Sequence, residues 1–499
     1  MNYQSTRGGI ENVSSAFAIN NGIASDGGLF VPMSNVKISL DEIEKLSALP
    51  YTELAAEILG KYLTDYSYDE LMECTTGAYT KEKFETDSIA PVYKLNDTTY
   101  ILELWHGPTC AFKDMALQIL PHMLTKAIKK TGEDKEVVIL VATSGDTGKA
   151  ALEGFKNVPG TRIQVFYPNN GVSEIQKLQM TTQEGNNVDV VAVEGNFDDA
   201  QTGVKKIFTD KEYSKKLNEN GFAFSSANSI NWGRLAPQIV YYFASYCDLL
   251  RNGEIKLGDK INICVPTGNF GNILAAYYAK IMGLPVNKLI CASNINNVLT
   301  DFINTGVYDR NRNFETTISP SMDILISSNL ERFLFHASNG NSELVADYMN
   351  KLSECGRYEV SNELKEIIKD NFYACSCDDD KTVETIKKTY DEFDYVIDTH
   401  TAVAVDAYNT YVSETGDSTK TVIASTANPF KFNSSVLSAL VCKKELEDKD
   451  EFELLEMLAD KGGIKIPKSL KELKNKFVRF NTVCERENLK NETDRFLNL

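Results

Sequence analysis

Apolar and polar positions follow different rhythms along the chain. Up to about residue 95 the pattern is mixed, and its 3.6-residue periodicity predicts helices at Leu40–Leu49 and Tyr51–Leu63. From about Tyr100, short continuous apolar runs rich in β-branched residues take over. They are Val137–Ala142, Arg162–Tyr167, Val188–Val193, Ile261–Pro266, Lys288–Ala292, Tyr395–Asp398 and Thr421–Ser425, with helical stretches between them. Unbroken apolar strands alternating with helices predict parallel sheet covered on both faces. Seven such runs suit two α/β units better than one. Between about 294 and 393 the pattern turns helical and charged, and beyond Ser434 it is Lys/Glu-rich and helical to the end. The expected organisation is an N-terminal domain at 1–95, a main region at 96–435 and a helical C-terminal segment at 436–499. Within the main region a smaller α/β domain takes about 130–240, and a larger one takes the remainder around a helical insert at 294–393.

The length of 499 residues agrees with about three domains at roughly 150 residues each. Apolar residues at 42% and charged residues at 24% are an ordinary globular balance. The net charge of −18 argues against an electrostatic grip on nucleic acid or an anionic membrane. It leaves an anionic small substrate open, because a few donors reverse the field inside a cleft. Ten cysteines with no repeating interval point to free thiols and a reducing compartment. Cys375 and Cys377 are two thiols where a structural zinc wants four ligands, and none of the four histidines sits at metal-ligand spacing, so no metal is expected. The opening residues lack a signal-peptide core, and no apolar run approaches the ~18 residues of a membrane helix. A soluble cytoplasmic protein is expected, monomer or homodimer.

Five segments carry candidate chemistry. In Gly107-Pro108-Thr109-Cys110-Ala111-Phe112-Lys113-Asp114, a turn runs into a helix predicted from Asp114 to Lys130 and interrupted at Pro121. A lysine at a helix start is biased toward the neutral amine, the nucleophilic form, by the positive end of the dipole; a solvated surface lysine has the same local sequence. Thr143-Ser144-Gly145-Asp146-Thr147-Gly148 follows a strand and opens a helix, an arrangement suited to an anion. It is not a nucleotide P-loop, because Thr143 replaces the first glycine and Ala150 the magnesium-binding hydroxyl; a carboxylate suits it better. Thr267-Gly268-Asn269-Phe270-Gly271-Asn272 is a second strand-to-helix turn, where glycines let amides approach a phosphate, or simply make a tight turn. Asn228, Ser229 and Arg234 form a third anion site or a helix cap. Thr426 closes an apolar strand and offers one hydroxyl, or caps a helix ahead of Pro429.

Together with Tyr3-Gln4-Ser5-Thr6-Arg7-Gly8 and Asp26-Gly27-Gly28-Leu29-Phe30-Val31-Pro32, and in this order, the five segments resemble the threonine synthase family over roughly residues 1–435. The length resembles its longer branch. The resemblance implies a fold-type II, tryptophan synthase β-like α/β architecture and a pyridoxal 5′-phosphate cofactor held by Lys113 as a Schiff base. It implies that Gly268, Asn269, Phe270, Gly271 and Asn272 hold the cofactor phosphate and that Thr426 meets the pyridine nitrogen. Asp146 would lie near the cofactor's phenolic oxygen. Thr143, Ser144 and Thr147 would receive the substrate carboxylate, and Asn228, Ser229 and Arg234 the substrate phosphate. The implied reaction is conversion of O-phospho-L-homoserine and water to L-threonine and phosphate. The alternatives are a phospholyase giving 2-oxobutyrate and a non-catalytic threonine synthase-like binding protein. Asn428 stands where the family pattern leads one to expect histidine.

Overall fold

Two parallel sheets organise the chain. A computed structural model describes every residue except Ser144 and Gly171, with Phe197 and Asp198 described in their backbone alone. The larger sheet has six strands in the order Phe372–Ser376, Val286–Ser293, Ile261–Pro266, Thr421–Ser425, Thr99–Glu103 and Val92–Lys94. All neighbours are parallel except the last pair. The smaller sheet has five, in the order Thr482–Glu485, Val188–Glu194, Thr161–Pro168, Glu136–Ala142 and Phe222–Ser225, every pair parallel. Every residue of Ile261–Pro266 and Thr421–Ser425 is buried. Helices such as Thr399–Thr415 pack on them, which is why these runs carry no polar face.

Six of the seven expected strands are present. The seventh, Tyr395–Asp398, is not a strand: it is extended chain ending in Asp398, the N-cap of the helix Thr399–Thr415. Its apolar residues Val396 and Ile397 are buried without pairing. The segment after Ser434 is not helical throughout. Thr482–Glu485 pairs with Val188–Glu194, and the helix Leu489–Leu497 packs behind that sheet, tied by Thr493 to Gln164 and by Arg495 to Asp189. The 294–393 stretch is largely helical, but it also supplies Phe372–Ser376 to the edge of the larger sheet and a two-stranded ribbon, Val307–Asp309 with Arg357–Glu359. The predicted helix from Asp114 splits into Asp114–Leu117 and Leu120–Thr131, with Pro121 in the first turn of the second, where its missing N–H costs nothing.

The N-terminal segment packs four helices and the strand pair Tyr3–Ser5 with Phe30–Pro32 against the rest of the chain. Ser39 with Glu42, and Ser67 with Glu70, close capping boxes at two helix starts. The helix from Leu40 ends at Leu46, short of the expected Leu49, because the chain must leave helical geometry before Pro50. No described helix is long and apolar enough to cross a membrane.

Candidate active site

The C-terminal ends of the parallel strands converge. Thr143, Ser226, Thr267 and Thr426 each directly follow a strand, as expected for ligand-binding positions in an open α/β sheet. The Lys113 loop is stitched to one of these ends. Phe112 N–H donates to the Thr426 carbonyl at 2.8 Å, Asn428 N–H donates to the Cys110 carbonyl at 3.0 Å, and Ala111 bridges Ala427. Asp114 fixes the other side of the loop by accepting from Thr109 N–H (2.8 Å) and its hydroxyl (2.7 Å). The carboxylate lies so close to Gly107 that a Cβ there would meet the Asp114 Cβ at 2.5 Å, so this turn admits only glycine.

Lys113 Nζ is buried, 3.3 Å from Ser321 Oγ and 3.5 Å from Asp146 Oδ2. Burial pushes its pKa down, the Asp146 charge pulls it back, and the nearby cations Arg234 and Lys431 push it down further. Burial therefore does the work that the sequence assigns to a helix dipole, since the helix at Asp114 has only four residues.

Asp146 is shared between cations. Lys431 Nζ lies 2.6 Å from its Oδ1 with no exposed surface, and Gln176 Nε2 donates to the same oxygen at 2.9 Å. Burial alone would raise this carboxyl, but Lys431 and Lys113 hold it well below the usual carboxylate range. Lys431 and Gln176 are absent from the sequence-derived site. Lys431 is carried by a turn that Asn428 makes: its side chain accepts from Phe430 N–H and caps Pro429–Phe432. The cap that sequence reasoning offers to Thr426 thus belongs to Asn428. The Thr426 hydroxyl makes no hydrogen bond to a described residue.

Gly268, Asn269, Phe270, Gly271 and Asn272 lead into the helix Gly271–Met282, which has no side-chain N-cap. The amides of Gly268, Asn269, Phe270 and Gly271 find no acceptor among the described residues. Phe270 is left-handed at φ 60°, and the Asn269 carbonyl is turned away to accept from Asn329 N–H and Nδ2, both at 3.1 Å. Asn272 accepts from the Tyr241 and Tyr242 hydroxyls through Oδ1, which leaves its buried Nδ2 without a partner. Open amides, a helix N-terminus and an orphan amide donor make this loop a candidate anion cradle. Gly268 is required, because a Cβ would stand 2.6 Å from the Ser321 carbonyl.

Arg234 is the second candidate anion determinant. Asn231, not Asn228 or Ser229, caps the helix Trp232–Arg251. Arg234 is buried, donates to the Ala227 carbonyl at 2.8 Å, and has no carboxylate within salt-bridge distance among the described residues. Burial pushes its pKa down to about 10. Asn228 and Ser229 are half-buried beside it, and Ser229 approaches Gly271, so the two candidate anion-binding segments adjoin. Thr143 accepts from Gly145 and Gly148 N–H, both at 3.0 Å, so only its hydroxyl proton is left for a ligand. Thr147 is half-buried in the first turn of the helix Asp146–Phe155, and Ser144 lies outside the described residues.

Comparison with known proteins gives the family. Residues 87–426 match the family model of the pyridoxal-phosphate dependent enzymes, 2–79 that of the threonine synthase N terminus, and 401–490 that of the threonine synthase C-terminal region. Threonine synthase-like 1 of Pongo abelii is 44% identical over 437 residues, which are 86% of this chain but only 58% of that protein. The threonine synthase of Pseudomonas aeruginosa is 39% identical over 446 residues, 88% of this chain and 90% of that one. The crystal structure of PLP-bound threonine synthase from Brucella melitensis has a TM-score of 0.87 at 34% identity, covering 100% of this chain and 99% of that one. With the catalytic region matched from 87 to 426 and both flanking threonine synthase regions in place, the chain belongs to the threonine synthase family of pyridoxal-phosphate-dependent enzymes.

Proposed function

We propose that this chain is a threonine synthase, converting O-phospho-L-homoserine and water to L-threonine and phosphate. The observation that carries the reading is one buried lysine amine flanked by two anion sites that the protein itself leaves uncompensated. These are the open amides and orphan Asn272 Nδ2 at Gly268–Asn272, and Arg234. A phosphorylated cofactor and a phosphorylated substrate would fill both.

The residues fit pyridoxal phosphate. The cradle Gly268–Asn272 suits its phosphate, Lys113 its aldehyde, and the Thr426 hydroxyl its pyridine nitrogen. Lys113 and Asp146 would border its phenolic edge. When bound, the group supplies an electron sink for negative charge developing at an amino-acid α-carbon. Lys113, kept toward the neutral amine by burial, takes the α-proton and holds it at Nζ beside Asp146. Arg234, Asn228 and Ser229 hold the phosphate that leaves Cγ and stabilise the charge it carries away. Thr143 and Thr147, with Ser144, orient the substrate carboxylate. A threonine hydroxyl at the pyridine edge, in place of a carboxylate, would withhold a formal charge from that nitrogen. All ten cysteines are free thiols, which supports a cytoplasmic setting.

The test is an absorbance spectrum of the protein with pyridoxal phosphate, then O-phospho-L-homoserine with threonine and phosphate assayed together. A visible band with equal release of threonine and phosphate is expected. Arg234→Ala should lower kcat/KM by about 2–4 kcal/mol, the usual loss when a buried charge partner is removed. Phosphate with 2-oxobutyrate and ammonia would make the chain a phospholyase. A band with no turnover would make it a binding protein.

A further inference from the structure

A chain of polar groups, buried at Asp398 and His400 and partly buried at Ser321 and Lys113, runs from the helix Thr399–Thr415 to Lys113. Asp398 and His400 are 0% and 2% exposed. Asp398 Oδ2 accepts from His400 N–H at 2.9 Å and meets His400 Nδ1 at 2.9 Å, while Oδ1 takes the Thr401 N–H and hydroxyl. His400 Nε2 accepts from Ser321 N–H at 3.1 Å. A ring nitrogen that accepts an N–H carries no proton, so His400 is the Nδ1–H tautomer and donates to Asp398. Ser321 is the centre of the turn Pro320–Met322. Its hydroxyl accepts from Lys113 Nζ at 3.3 Å, and its carbonyl occupies the space beside Gly268. A second arm joins the Thr401 hydroxyl to Ser425 Oγ at 3.0 Å, and Trp105 Nε1 donates to that oxygen at 2.9 Å, next to Thr426.

A helix cap needs an acceptor for its first amides, and Asp398 provides that. It does not need an imidazole on the same carboxylate oxygen whose far nitrogen holds the amide of another element. We propose that Asp398 and His400 are positioning residues that fix the Ser321 turn, so that the Ser321 hydroxyl aims the Lys113 amine while the same turn packs against the phosphate cradle. Ser321 thereby sets two distances at once, from the lysine and from Gly268. The Thr401–Ser425 arm holds the strand end carrying Thr426 in the same frame. The inference rests on Lys113 being the cofactor lysine.

The experiment uses wild type, Ser321→Ala, His400→Gln and His400→Phe, each freed of cofactor and then mixed with pyridoxal phosphate. The readouts are the rate at which the visible band forms, the thermal midpoint, and kcat and KM. In wild type the appearance of the band checks the assignment of Lys113, independently of the variants. Ser321→Ala should slow band formation and lower kcat by about 2- to 10-fold, the equivalent of one hydrogen bond to a neutral amine. KM should stay within about threefold, since no substrate contact is removed. His400→Phe should do the same, and His400→Gln, which keeps an acceptor for Ser321 N–H, should recover most of the loss. Imidazole ¹⁵N shifts of the cofactor-free protein, simplified by there being only four histidines, should show His400 protonated at Nδ1 alone. A wild-type loading rate in Ser321→Ala with an unchanged thermal midpoint, or an Nε2–H tautomer at His400, would overturn the proposal. If His400→Phe does not fold, Ser321→Ala and the tautomer decide.

Discussion

Lys431 has no exposed surface, and its only carboxylate partner among the described residues is Asp146, 2.6 Å away. A lone ammonium there would be far costlier than the pair. Asp146→Asn should therefore destabilise the cofactor-free protein by about 3–5 kcal/mol, the usual cost of breaking a buried pair from one side. Adding Lys431→Met should return most of that loss, because the orphaned charge is then gone. Urea unfolding of the two variants and wild type measures it; a double variant no more stable than the single one would mean that Lys431 is not the group left unpaired. This pair also marks where sequence reading stops. Asp146 stands in a glycine- and hydroxyl-rich strand-to-helix turn whose chemistry is visible locally. Lys431 follows Asn428-Pro429-Phe430, a turn like any other, and meets Asp146 only through the packing of two sheets. Asp398 and His400 were hidden for a related reason: Tyr395-Val396-Ile397 reads as a short strand, so the cap that ends it looks like a strand terminus.

The glycine- and asparagine-rich loop Gly268–Asn272 could be recognised in the sequence because a strand that is apolar throughout precedes it and a helix follows. What could not be read is how it is braced from outside by Ser321, Ser327 and Asn329, all from the insert. The insert is thus part of the site's framework. Gly268→Ala tests the bracing: its Cβ would stand 2.6 Å from the Ser321 carbonyl, and relieving that overlap costs about 1–3 kcal/mol. The expected result is pyridoxal phosphate affinity lowered by about 5- to 150-fold, read by absorbance titration. Unchanged affinity would show that the turn yields freely. Among the other elements, the strands legible in the sequence are central and apolar. Of those it did not reveal, Phe222–Ser225, Thr482–Glu485 and Phe372–Ser376 sit at sheet edges, where polar residues are tolerated and the apolar run is short, whereas Thr99–Glu103 lies inside the larger sheet between Thr421–Ser425 and Val92–Lys94.

Across the whole molecule, a chain of net charge −18 gathers the cations Arg234 and Lys431 near Lys113, a local reversal of field that suits the anionic ligands proposed for the site. The site's rigidity depends on the N-terminal segment as well. Arg332, fully buried, donates to the Phe30 carbonyl, the Ile230 carbonyl and Asn329 Oδ1, joining that segment to both anion-binding loops. Beside it His336 accepts from or donates to the Tyr278 hydroxyl across 2.7 Å, within an aromatic group formed by Tyr3, Tyr62, Trp232 and Tyr278. Burial, aided by the Arg332 charge, lowers the His336 pKa from 6.5 to about 4. In the unfolded chain this imidazole protonates as pH falls below 6.5, whereas in the fold it stays neutral until about 4. Its contribution is therefore complete above pH 6.5 and is lost as pH falls toward 4, by about 3 kcal/mol at 1.36 kcal/mol per pH unit. Replacing it by Gln, which keeps a polar atom for Tyr278 but does not titrate, should flatten the stability profile over that interval. Urea unfolding at closely spaced pH values measures this slope. A variant as acid-sensitive as wild type would place the titrating group elsewhere, and the interface between the N-terminal segment and the catalytic body would then not be the part of the fold that acid weakens first.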